Sequence, residues 1–118
     1  MHLLFTFRGP KLLPRDRALQ ARMAEVAPVI TRQTTMWKCW IGFNASHSCG
    51  LILFGAMYGY LALAHDELLF RSVFLRALGL LMLLGYLFLA KMYFFRTPLR
   101  GVIVATVLYV FGLIVSQA

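Results

Sequence analysis

Acidic side chains are scarce in this chain. Four Asp and Glu stand against twelve Lys and Arg in 118 residues. Asp16 and Glu25 fall in a basic N-terminal segment, and Asp66 and Glu67 in a predicted loop. No carboxylate therefore lies near the Ser-His pairs of the central segment, which argues against a nucleophilic triad there. Charge of either sign is also low, at 14%, too little for an ordinary solvated surface. Cysteine is limited to Cys39 and Cys49, ten residues apart on one predicted helix, or about 15 Å by helical rise. That exceeds the reach of a disulfide, no CxxC or Cys/His ligand spacing exists, and both read as small buried helix residues. There are three histidines. His65 falls about 27 Å from His47 by helical rise, so a metal or haem at His47 would need His2. No metal and no cofactor is assigned. Internal repeats, low-complexity stretches and strand-type alternation are absent, which argues against a β-barrel.

What the chain does have is apolar residues, at 61% against roughly 45–50% in soluble domains. Almost all of the excess lies after Cys39. The bilayer is the simplest solvent for such a chain. Seven basic residues precede Cys39: Arg8, Lys11, Arg15, Arg17, Arg22, Arg32 and Lys38. Because they abut hydrophobic spans, anionic headgroups are their expected counter-charge, and nucleic acid is not an expected partner.

The predicted elements follow from punctuation and periodicity. Met1–Phe7 is apolar but about 10 Å long as a helix. It reads as an interfacial anchor or as the end of a spanning helix that begins upstream. Pro14 suits a helix first turn, and 14–27 reads as a basic amphipathic interfacial helix with Leu19, Met23 and Val26 on one stripe. Thr34 or Thr35 can cap the next helix. Three transmembrane helices are expected at about 36–64, 68–95 and 99–115, with Trp37 and Trp40 in the interfacial belt and Thr97-Pro98 ending the second. Arg76 and Lys91 are expected to reach outward to headgroups. The aromatic-rich stretch 86–95 reads as lipid-facing belt and packing. The fold class is an all-α integral membrane protein, a single domain over 1–118. A basic juxtamembrane segment occupies 1–35 and a three-helix bundle 36–118. The positive-inside rule puts the basic segment, 8–38, in the cytoplasm and the His65–Glu67 loop outside, as in a bacterial inner membrane.

One segment is unusual for a membrane span. Asn44, Ser46, His47 and Ser48 occur within five residues, where unsatisfied polar groups are costly. Asn44 and His47 are i,i+3 neighbours. Tyr58 lies three turns beyond His47, close to the same face. Gly42, Ser46 and Gly50 form a small-xxx-small row, extended in kind by Gly55 and Gly59, that suits helix packing. Two readings follow. Either these residues are packing glue, the commonest use of such groups, or Asn44, His47 and Tyr58 line a small site for a lipid headgroup, quinone or proton.

The runs TFRGPKLLPRD, ITRQTTMWKCWIGFNASHSCG and FGAMYGYLAL resemble a small, functionally uncharacterised family of bacterial membrane proteins. Its most specific element is a W-x-G-F-N-x-S-H-S-x-G core, here Trp40 to Gly50. The resemblance implies four helices, one of them before the basic segment, and the family carries no assigned activity from which a catalytic role would follow. The preferred functional expectation is a non-enzymatic accessory, assembly or lipid-interacting bundle, acting within a homo-oligomer or larger membrane complex. The alternative is a small membrane enzyme or ligand binder using Asn44, His47 and Tyr58.

Overall fold

In the computed structural model, residues 2–116 are described. Met1, which opens the apolar start of the chain, lies outside them. The described residues form helices and connectors without a strand: α1 (His2–Phe7), α2 (Arg17–Glu25), α3 (Met36–Ala64), α4 (Asp66–Arg71), α5 (Val73–Tyr93) and α6 (Arg96–Val115). Of these, α3, α5 and α6 are long and apolar enough to cross a membrane. The three expected spans and the short basic helix before them are therefore present.

Local chemistry explains the boundaries. Asp16 caps α2 by accepting from Ala18 N at 2.8 Å, so this helix starts at Arg17, three residues after Pro14, rather than on it. Thr35 is the cap of α3, its hydroxyl accepting from Lys38 N at 3.4 Å and its carbonyl from Cys39 N at 3.0 Å. Only His65 separates α3 from α4. Asp66 and Glu67 are not loop residues but the first turn of α4, where carboxylates complement the helix dipole.

Two boundaries differ from expectation. The second span does not run unbroken from 68 to 95. Ser72 is extended (φ −79, ψ 107) and its hydroxyl accepts from Leu75 N. A serine hydrogen-bonding the backbone competes with helix continuation and starts a new helix instead. Nor does Thr97-Pro98 end a helix. Pro98 is the third residue of α6, a position whose N–H has no intrahelical acceptor, so proline loses nothing there.

The chain divides into two compact units, Met1–Ala56 and Met57–Ala118, with the boundary inside α3. In the first unit the buried residues are polar, Thr6 and Ser48. The Trp40 indole donates to the Leu12 carbonyl at 3.2 Å, and Met36 N donates to Val26 O at 2.8 Å. These bonds hold the segment after α1, and the end of α2, against the start of α3. Helix α2 buries none of its residues. Its Leu19 is exposed, as is Val26 at its C-cap, and Met23 is half-buried, as for a helix whose apolar stripe meets something other than this chain.

The second unit holds the apolar core: Leu69, Leu83 and Ala90, with Gly79 buried beside them. Along α5 one row of buried and half-buried positions, 79, 83, 86 and 90, runs in steps of four and three, flanked by half-buried 75, 76, 80 and 87. Along α6 a row of half-buried positions, 99, 102, 106, 109 and 113, does the same, with 98 and 112 half-buried beside it. Matching 3–4 spacing on neighbouring helices is the pattern of knobs-into-holes packing. Side chains on the other faces of α5, such as Phe74, Leu81 and Phe88, are exposed. So are Phe95, Phe111 and Tyr93, which fits helices solvated by hydrocarbon.

Cys39 and Cys49 are free thiols, as their spacing requires, but both are exposed rather than buried. They lie on faces of α3 that this chain leaves uncovered. Arg76 also departs from expectation. It is half-buried, and its Nε is buried without a hydrogen-bond partner among the described residues, whereas Lys91 is exposed.

Candidate polar site

The polar cluster of α3 begins with residues that bond to their own helix. Asn44 Nδ2 donates to the Trp40 carbonyl at 2.8 Å. The Ser46 hydroxyl donates to Phe43 O at 3.0 Å, and the Ser48 hydroxyl to Asn44 O at 2.9 Å. Such i−3 and i−4 bonds let a short polar side chain sit in a helix without needing a partner elsewhere. They satisfy the two serine hydroxyl donors and one N–H of the Asn44 amide, and they leave Ser46 exposed and Asn44 half-buried.

One residue of the cluster does more. Ser48 is buried to 5% exposure, and its oxygen lies 2.8 Å from His2 Nδ1. A serine hydroxyl carries a single proton. With that proton on Asn44 O, the bond to His2 must run from His2 Nδ1–H to Ser48 Oγ. The chain of contacts from His2 to Ser48 to Asn44 O joins α1 to the middle of α3. The His2 and His47 rings lie 6.0 Å apart, centroid to centroid, and meet edge to face. Thr6 is buried one turn along α1 and donates to His2 O at 3.1 Å. The sequence left His2 as an open second partner for His47, and the structure brings the two rings together. Two imidazoles and a serine can share a proton or grip one polar ligand. Among the described residues no group of three or more His, Cys, Asp and Glu side chains is placed to hold a metal.

Tyr58 belongs to the second unit. Its hydroxyl donates to Leu75 O at 2.8 Å, and its ring meets Tyr109 edge to face at 5.9 Å. Tyr109 in turn donates to Arg76 O at 3.0 Å. Gly79 explains why two tyrosines can reach carbonyls that already serve a helix. A helical side chain covers the turn before its own Cα, so a residue at 79 would shield the carbonyls of 75 and 76. With no side chain there, both are open. A Cβ at this position would stand 2.7 Å from Tyr58 Cε1 and would also strike Tyr109.

Sequence reasoning singled out Tyr58 but not Tyr109, Gly79 or the carbonyls they uncover. The available signal was a glycine inside the 3–4 apolar seam of α5. The residues read as a packing row are differently placed. Gly42, Gly55 and Gly59 are exposed, with nothing within 4 Å of an added Cβ, and Gly50 is exposed. No protein-family model matches the chain, and no significant match exists among curated proteins or solved structures.

Proposed function

We propose that this chain is a non-enzymatic, lipid-interacting membrane protein whose basic segment rests on anionic headgroups. The observation that carries this reading is the exposure of all seven basic residues before Cys39, from Arg8 to Lys38, directly ahead of a spanning helix. Juxtamembrane basic clusters gain from the negative surface potential of acidic lipids, and they orient a helical protein with that side in the cytoplasm. We place the chain in a bacterial inner membrane, as an accessory or assembly subunit of the kind of four-helix family that its Trp40–Gly50 core resembles. The uncovered apolar faces of α3, α5 and α6 suit lipid, another copy or a larger complex.

The test is reconstitution of the full chain in vesicles of phosphatidylcholine with and without phosphatidylglycerol. Native mass spectrometry of the detergent-extracted protein should retain phosphatidylglycerol preferentially. Replacing Arg8, Lys11, Arg15 and Arg17 by Gln should abolish the preference. Equal retention of both lipids by the unaltered chain refutes the reading. Accessibility of a single cysteine at position 17 to an impermeant maleimide, in inverted but not right-side-out vesicles, tests the orientation.

A second reading rests on the His2–Ser48–His47 cluster in mid-helix. It makes that cluster, with Asn44, a site for a lipid headgroup or quinone. Under it, His47→Ala and Asn44→Ala chains stay folded and lose a co-purifying molecule. A chain that unfolds instead, with no molecule ever bound, returns these residues to packing.

A further inference from the structure

The segment between α2 and α3 is a closed loop with an apolar tip. Its ends are tied by the bond from Met36 N to Val26 O, 2.8 Å, and its tip is turned by Thr31 N to Pro28 O, 3.2 Å. Gln33 N donates to the Thr31 hydroxyl at 3.1 Å. These bonds leave Val29 at 108% and Ile30 at 92% exposure, the most exposed large apolar side chains among the described residues. Two β-branched residues at the tip of a tied loop bury nothing in this chain. Arg32 follows two residues later and Lys38 stands in the first turn of α3, both exposed.

The loop's position limits what can cover it. Met36 is the first residue of α3, so the tie at Val26 holds the tip within a few residues of the point where a spanning helix enters the membrane. The flanking cations match acidic headgroups, and an apolar tip beside them matches the acyl boundary below. We propose that Val29 and Ile30 form a wedge inserted below the phosphate level of the bilayer, with Arg32 and Lys38 on the phosphates above it. This deepens the reading of the basic segment as a headgroup-binding surface and rests on it.

Site-directed spin labelling of the full chain tests the wedge. Cys39→Ser and Cys49→Ser remove the native thiols, and Val29→Cys, Ile30→Cys and Gln33→Cys are labelled singly in vesicles of phosphatidylcholine and phosphatidylglycerol at 3:1. Labels at 29 and 30 should be reached by oxygen in preference to a water-soluble nickel chelate, with the label at 33 showing the reverse. Chelate access at 29 and 30 equal to that at 33 overturns the wedge. So does a label at 30 that is immobilised and shielded from both reagents, which would mean a protein partner covers the tip. Circular dichroism of each labelled chain checks that the helices persist, and Ile30→Ser labelled at 29 provides a second depth reading. Repeating the series in phosphatidylcholine alone separates the two ideas. Insertion that is indifferent to lipid charge keeps the wedge and removes the anionic-headgroup reading, while insertion that grows with phosphatidylglycerol supports both.

Discussion

In the first unit, Thr6, Asn44 and Ser46 each bond to a carbonyl of their own helix. In the second, Tyr58 and Tyr109 reach carbonyls of α5 from α3 and α6. Both arrangements satisfy polar groups where water is excluded, but they differ in what they fix. A self-bonded side chain constrains only its own rotamer. A hydroxyl that crosses to another helix sets the distance and rotation of that helix, and here it does so only because Gly79 leaves the surface open. The second unit also has an apolar core, while the first has Ser48 and Thr6 buried in its place. Polar residues in a membrane helix are thus not equally informative, and the number of helices joined by a bond matters more than the polarity of the residue.

The sharpest way to break this comparison is to fill the notch. Gly79→Ala puts a methyl against both tyrosines and should destabilise the second unit by about 1–3 kcal/mol, the usual cost of overpacking, with Gly79→Leu worse. Unfolding of the purified chain in mixed detergent micelles measures it. Tyr58→Phe and Tyr109→Phe come next. Each removes one interhelical hydrogen bond, worth about 0.6 kcal/mol on average and up to about 1.7 in membrane proteins. In Gly79→Ala, where the tyrosines are already displaced, their cost should shrink, so a double-mutant cycle will show coupling. Ser48→Ala should cost a similar 0.6 kcal/mol or so, and it should release α1 from α3, read as faster amide exchange over residues 2–7. Ser46→Ala should be smallest, with no measurable loss, because its bond never leaves the helix. If Ser46→Ala costs as much as Tyr109→Phe, the distinction between self-bonded and crossing hydroxyls fails.

The spans were legible in the sequence because hydrocarbon imposes a long-range rule: some twenty apolar residues in a row, flanked by cations and aromatics. Thr35 as a cap was legible for a local reason, a threonine just before the apolar run. The break at Ser72 was not read, since a serine amid Leu, Phe and Arg can face a helix groove or start a new helix, and only the fold decides. Pro98 was misplaced because a proline after a cation-rich turn looks like a terminator, whereas its place in the first turn of α6 makes it an initiator. Of the site, Asn44 to Ser48 stood out through the rarity of such residues in a span. His2 as the partner of Ser48 could not be derived, because it depends on how a six-residue helix lies along another. Gly79 was one glycine among nine, and its role exists only relative to two tyrosines distant in sequence.

Helix α3 is 29 residues long, α5 is 21 and α6 is 20. At 1.5 Å per residue that is about 43 Å against about 30 Å. The shorter two match the hydrocarbon thickness, and the longer one covers the headgroup layers as well. Hydrophobic mismatch therefore acts on them unequally. In a thinner bilayer α3 must tilt or protrude, while in a thicker one α5 and α6 draw the lipid inward around their ends. The chain carries one long ruler and two short ones, so bilayer thickness is a variable to which its helices respond differently even with no ligand present.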